Sequence, residues 1–246
     1  MKILITNDDG IDADGIQVLN EVAAEFGETM VVAPKHHQSG CSHQMTFEGH
    51  LEAEQRADNR WWVDGFPADC VRVGISTLLP DVDLVLSGIN HGSNLGLDNF
   101  LSGTVAAARE ATFFGLPAIA FSQYHRGIDQ AVWDAAKVMT RRVIKQAIDG
   151  DRLVPGSYWN VNFPIVGDRS PDAIDVCEAP LDLCPLPNTY QRTESGFEYT
   201  GDYHARLKFD GTDVSKCHSG LISMSLIQVG SPKMVEMRKQ ARSSAG

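Results

Sequence analysis

Short apolar runs rich in β-branched residues alternate with stretches of helical period over the first 164 residues. Ile3 to Ile5, Met30 to Ala33, Asp83 to Ser87, Pro117 to Ser122 and Tyr158 to Phe163 read as buried strands of a parallel sheet. Between the first two, Ile16, Leu19, Ala23 and Phe26 fall on one helical face. Asp14 with Gln17 has the spacing of a capping box, and Gly27 is a stop. A second helix is expected over Ala68 to Leu79, with Val71, Ile75 and Leu78 inward. A third starts at the N-cap Ser102, runs through an alanine-rich segment and stops near Gly115. A fourth spans Asp129 to Gly150, with Val132, Ala136, Met139, Val143 and Ala147 inward. Residues 45–64 read as short strands with polar turns. The alternation describes an α/β, doubly wound, mainly parallel sheet with right-handed crossovers, ending near residue 164.

Residues 165–230 read differently. Prolines, glycines and short alternating stretches such as Phe197-Glu198-Tyr199 suggest an irregular β excursion, a hairpin arm of the kind that docks on another subunit. Leu221 to Val229 is expected to return as a strand. The tail, 231–246, is polar, a short helix or disordered.

Composition narrows the function. The chain has 246 residues, 43% of them hydrophobic, enough for one sizeable core. Its formal net charge is -11 and no Lys/Arg-rich run appears, which argues against duplex nucleic acid as a partner. A small phosphorylated substrate remains open, since a metal can supply positive charge. No apolar run approaches the roughly 18 residues of a membrane span, and the N-terminus lacks a signal-peptide layout. The five cysteines are odd in number and irregularly spaced, as for reduced thiols in a cytoplasmic protein. Cys177, Cys184, Cys217 and His218 fit no common zinc spacing.

The candidate chemistry lies in loops that follow strands. Asn7-Asp8-Asp9-Gly10 places adjacent carboxylates at the C-terminal end of the first strand, the edge where open α/β sheets bind ligands. Their mutual repulsion becomes useful if a hard divalent cation lies between them; a solvated turn is the plain alternative. No Gly-x-Gly-x-x-Gly follows that strand, so dinucleotide binding loses its main support. The second strand leads into a polar loop holding His36, His37, Ser39, Gly40, Ser42 and His43. Its hydroxyls can serve as oxygen ligands or bind an anion, and the oxygen-rich company favours a hard ion over zinc. The third leads into Ser87 to Gly96, with glycines at 88, 92 and 96 and the amides Asn90 and Asn94. Asn90 is the third side chain expected on the metal. Ser102-Gly103-Thr104 then opens a helix with free N–H groups and two hydroxyls, a phosphate cradle or simply a well-capped core helix. A metal beside a phosphate cradle points to phosphomonoester hydrolysis.

Four segments together resemble the SurE family, survival-protein-E phosphatases that act as 5′-nucleotidases. They are Ile3 to Gly10, Gln38-Ser39-Gly40, Ser87 to Asn90 with Asn94-Leu95-Gly96, and Ser102 to Ala108. The resemblance continues more thinly through Asn160 to Pro164 and Gly211-Thr212-Asp213. It implies a Rossmann-like three-layer α/β/α fold and hydrolysis of nucleoside 5′-monophosphates. It implies one divalent cation per subunit, Mg²⁺ or Mn²⁺, held by Asp8, Asp9, Ser39 and Asn90. Phosphate is placed near Gly40, Asn94, Ser102, Gly103 and Thr104. A homodimer or homotetramer is implied, formed through exchanged C-terminal segments. Leu101 stands where tyrosine is common in the family, Arg109 where methionine is often seen, and Leu226-Ile227 in place of Pro-Leu.

The mechanism expected is attack by a metal-activated water that Asp8 or Asp9 orients or deprotonates. Two rivals are weaker. A phosphoaspartyl route needs Asp-x-Asp, whereas these carboxylates are adjacent. A module that binds nucleotide without hydrolysing it would present the same cradle.

Overall fold

In a computed structural model, the described residues are 1–229, 233 and 236, so the expectation for the tail as a segment, 231–246, lies outside them. The strands are β1 (Lys2–Thr6), β2 (Glu28–Pro34), β3 (Ala53–Ala57), β4 (Arg60–Val63), β5 (Leu84–His91), β6 (Ala118–Gln123), β7 (Ser157–Phe163), β8 (Val176–Glu178), β9 (Tyr190–Arg192), β10 (Phe197–Tyr199) and β11 (Ile222–Gln228). The helices are α1 (Asp14–Ala23), α2 (Pro67–Val73), α3 (Asp98–Leu101), α4 (Gly103–Phe113), α5 (Gln130–Asp149) and α6 (Asp213–His218).

One nine-stranded sheet in the order β3-β4-β2-β1-β5-β6-β7-β11-β8 carries the fold. The six strands from β4 to β7 are mutually parallel. β3 runs antiparallel to β4, and β11 antiparallel to β7. The alternation along β1 explains the layers. Ile3 and Ile5 face a cluster with Ile16, Leu19, Met139 and Val143 of α1 and α5. Leu4 points to the opposite face, into a cluster with Val71 of α2 and Val105, Ala108 and Ala111 of α4. Both faces are therefore covered, as a parallel sheet requires. The alanines of α4 let that helix lie close on β5 and β6.

Winding proceeds outward from β1 in both directions, to β2 on one side and β5 on the other. The crevice between the ends of β1 and β5 is thus the topological switch point, the place where such sheets bind ligands.

Several local expectations are corrected. The capping box at Asp14 and Gln17 does not form. The N-cap is Ala13, which makes no side-chain cap, and Gln17 instead reaches Ile11 O at 3.3 Å. The helix expected to reach Leu79 is α2 as far as Val73, followed by a wider π turn over Gly74–Leu78. The third strand runs on through His91 after an irregularity between Ser87 and Asn90, so Asn90 lies on a strand end and not on a free loop. Gly88 makes that step possible. Its φ is +129°, and a Cβ there would collide with the Phe121 carbonyl oxygen of β6.

Beyond β7 the chain forms β8, the β9–β10 hairpin and α6, then returns as β11 to pair with β7 from Ser223 opposite Asn162 to Gln228 opposite Ser157. The hairpin presents Tyr190, Phe197 and Tyr199 to solvent, and Leu207 and Phe209 beyond it are also exposed. No helix among the described residues is long and apolar enough to cross a membrane.

Candidate active site

Asp8 follows the last residues of β1 and is almost fully buried, with 4% of its surface exposed. Asn7 shapes the turn: its side chain donates to Gly10 O at 2.8 Å and accepts from Gly10 N at 3.2 Å. The loop after β2 is docked on the same place, since Gln38 N donates to Asp8 O at 2.7 Å. Asp8 Oδ1 accepts the Thr104 hydroxyl from the first turn of α4. Burial pushes the Asp8 carboxyl up to about 6; hydrogen bonds from Thr104 oppose the shift and the neighbouring Asp9 charge adds to it.

Asp9 turns toward β5. Its Oδ2 accepts His91 N at 2.9 Å, and His37 Nδ1 lies 3.4 Å from its Oδ1. Asn90 precedes His91, and its amide nitrogen donates to Gly92 O at 2.8 Å, which leaves its carbonyl oxygen as the available donor atom. The ends of β1 and β5 are thereby joined by hydrogen bonds across the switch point. Ser39 and Gly40 are exposed on the loop beside them.

Ser102 caps α4, its hydroxyl accepting Val105 N at 3.1 Å. Gly103 is there because nothing larger fits: a Cβ would stand 2.7 Å from Cys41 Sγ and 2.9 Å from Asp8 Cβ. The positive end of the α4 dipole therefore faces the Asp8 carboxylate, and an anion placed there would meet backbone N–H groups and the Ser102 hydroxyl, the Thr104 proton being given to Asp8. Ser102→Ala should remove about 1 kcal/mol of stability, a fall of roughly 2–4 °C in the unfolding midpoint for a chain of this size. Scanning calorimetry checks this; an unchanged midpoint would mean that the cap is dispensable.

Asn94 is deeper than a substrate contact need be. Its Nδ2 donates to Ser122 Oγ at 2.8 Å, its N–H to Asn162 Oδ1 at 2.8 Å, and its carbonyl accepts from Asn160 Nδ2 at 2.8 Å. The loop around it is held from the far end of the chain. Asp98 accepts from Tyr203 at 2.5 Å and from Arg206 at 2.8 Å, and Gly96 N donates to Asp213 Oδ2 at 2.7 Å. Sequence reasoning gave none of Ser122, Asn160, Asn162, Tyr203 and Arg206 a role. Asn160 and Asn162 carried a signal, since two amides in a strand whose every residue is buried need partners.

The donor set suits a hard divalent cation. Asp8, Asp9, Ser39 and the Asn90 carbonyl are all oxygen donors, and the two neighbouring carboxylates, one of them buried, have no Lys or Arg partner among the described residues. Among the described residues no three His, Cys, Asp or Glu side chains gather as a metal cluster, so any ligation here rests on these two carboxylates and neutral oxygens.

Residues 3–181 match the model of the family described as survival protein SurE. The chain belongs to the SurE family. A putative 5′-nucleotidase of a Synechocystis strain is 42% identical over 93% of this chain and 100% of its own length. The 5′-nucleotidase SurE of Neisseria gonorrhoeae is 33% identical over 98% of both chains. The crystal structure of the SurE protein from Aquifex aeolicus superposes with a TM-score of 0.80 at 29% identity, covering 98% of this chain and 100% of that one. The SurE likeness thus extends through the arm and β11, well beyond the four motifs.

Proposed function

We propose that this SurE-family chain is a metal-dependent phosphomonoesterase that hydrolyses nucleoside 5′-monophosphates to nucleoside and phosphate. The observation that carries the reading is the buried Asp8 carboxylate at the switch point, beside Asp9 and under the start of α4. The relatives named 5′-nucleotidase support the substrate class. Asp8, Asp9, Ser39 and Asn90 would hold one Mg²⁺ or Mn²⁺ ion. When bound, that ion supplies a Lewis acid for a phosphoryl oxygen and makes water a stronger nucleophile at neutral pH.

The chain's own groups supply the rest. Asp9, less buried than Asp8 and fixed by His91 N–H, is placed to orient the attacking water and take its proton. The α4 N-terminus, with Gly103 and the Ser102 hydroxyl, would meet the negative charge that spreads over the phosphoryl oxygens, while the Thr104 hydroxyl holds Asp8. Gly40, exposed on the loop after β2, would lie beside the phosphate, and Asn94 holds its own loop in shape.

The cytoplasm is the proposed location, in keeping with five free cysteines. The exposed apolar residues of the arm, Tyr190, Phe197 and Tyr199 among them, support a homodimer or homotetramer built through residues 165–230. The core of residues 1–164 would then be the catalytic part.

Phosphate release from a panel of 5′- and 3′-nucleoside monophosphates, with Mg²⁺ or Mn²⁺ and then with chelator, tests the reading. Release is expected with either metal, and a fall to background on chelation. Tight nucleotide binding without release under any of these conditions would favour a regulatory binding module instead.

A further inference from the structure

A group of cationic and imidazole side chains surrounds Tyr124, at the end of β6. This is the same sheet edge as Asp8, and β6 is two strands from β1, about 10 Å across the sheet. The Tyr124 hydroxyl bonds to His204 Nδ1 at 3.0 Å, and the His218 ring stacks on Tyr124 with centroids 4.6 Å apart. Lys208 Nζ lies 3.5 Å from His218 Nδ1. Together with Arg126 these residues line a cavity of about 410 Å³. The chain as a whole carries -11, so this concentration of positive charge is local.

Among the described residues neither Arg126 nor Lys208 forms an ion pair. Arg206, nearby, is matched by Asp98. Asp202 reaches the rim, where its Oδ1 accepts His204 N at 2.9 Å. His218 registers the local potential. Burial pushes its pKa down to about 4, and the charges of Lys208, Arg206, His204 and Arg126 act in the same direction. Its Nε2 is buried with no hydrogen-bond partner. Like charges gathered beside a half-buried imidazole are unfavourable unless an anion joins them.

A smaller cavity, about 300 Å³ and lined by Gly92, Ser93, Tyr124, His125, Tyr203 and His204, shares Tyr124 and His204 with it. Gly92 O accepts from Asn90, and the His91 ring is 4.7 Å from that of His125. Successive neighbours along one edge, Asp9 to His91, His91 to His125 and then Arg126, link the two places.

We propose that the cavity lined by Arg126, His204, Lys208 and His218 is a second anion subsite, which takes the further phosphate of a doubly phosphorylated nucleoside whose scissile phosphate lies at Asp8 and Asp9. The proposal rests on the phosphomonoesterase reading above. It adds a substrate class, nucleoside bisphosphates, that the enzyme prefers to monophosphates. Two charge-assisted contacts of this type are enough for at least a tenfold preference.

Calorimetric titration in chelator, where no turnover occurs, tests the subsite apart from catalysis. Adenosine 3′,5′-bisphosphate, adenosine 5′-monophosphate and inorganic phosphate are each titrated into the wild type, Lys208→Gln, and the double variant Arg126→Gln/Lys208→Gln. The bisphosphate should bind the wild type at least tenfold more tightly than the monophosphate, and the ratio should approach one in the double variant. Equal affinities in the wild type, or a ratio that survives both substitutions, would overturn the proposal. So would inorganic phosphate binding that is lost in the double variant without any bisphosphate preference, which would assign the cavity to free phosphate. Both substitutions are at exposed positions, and the single variant provides a milder change if the double one unfolds. Parallel turnover assays with metal separate the two readings. Hydrolysis of the monophosphate without preference sinks the subsite alone, whereas a bisphosphate preference in binding with no hydrolysis of either sinks the phosphatase reading.

Discussion

Asp8→Asn is expected to lower metal-dependent turnover by on the order of 10³-fold while leaving the thermal midpoint unchanged or raised. The two effects have one cause. The Asp8 carboxylate is buried, its pKa is pushed up to about 6 by that burial, and the adjacent Asp9 adds repulsion. In the absence of a cation this is an unfavourable place for a negative charge. The amide has nearly the same shape and still accepts the Thr104 hydroxyl through its oxygen. It removes the charge, and with it both the repulsion and the attraction for a divalent ion. A site maintained at a cost in stability is a common mark of function. Initial rates at saturating Mg²⁺ or Mn²⁺ and calorimetric unfolding of the same proteins in chelator give both readings. Undiminished turnover would remove Asp8 from the mechanism. A large drop in the midpoint would instead make Asp8 a structural residue whose loss disturbs α4.

The core strands were legible because most are short runs dominated by apolar residues, and runs buried on both faces leave a plain signal. The span of α5 was legible because a long periodic segment follows Asp129, which the structure makes its cap, accepting Val132 N at 3.2 Å. Asp14 was misread because side-chain identity and spacing do not set where the first helical turn begins. Here Asp14 is already inside α1, and Gln17 is drawn to Ile11 O and Arg60. The short α6 escaped notice since six residues carry too little periodicity to separate from a loop. The clustering of Asp8, Asp9, Asn90 and Thr104 was legible through topology, as loops following parallel strands share an edge. What keeps the 93–98 loop in place was not. Tyr203, Arg206 and Asp213 come from more than 100 residues away in the chain, and nothing in local pattern announces contacts of that range.

Glu110→Ala should lower stability by about 3 kcal/mol at neutral pH, roughly 6–12 °C in the unfolding midpoint. Glu110 is on α4, and its side chain is 1% exposed. Arg72 of α2 donates to Oε1 at 2.5 Å, and His43 Nε2 is 2.9 Å from Oε2. Arg109 approaches the other ring nitrogen of His43 at 3.3 Å, which assigns the proton on His43 to Nε2, toward Glu110. One carboxylate thus joins α4, α2 and the loop that carries Ser39. Removing it leaves the polar ends of Arg72 and His43 without their acceptor. Arg72 is 45% exposed and recovers some hydration, so the lower part of the range for broken buried pairs applies. Burial alone would raise the Glu110 pKa, but the hydrogen bonds from His43 and Arg72 and the Arg72 charge bring it below the ordinary 4.5. The stabilisation from this group is therefore complete above pH 4.5 and is lost as pH falls through the depressed value. Urea unfolding of wild type and variant at pH 7 and in steps below pH 4.5 checks both statements. The gap between them should narrow on acidification; a gap that is absent at pH 7, or that widens in acid, would show that the carboxylate is not the tie between loop and helix.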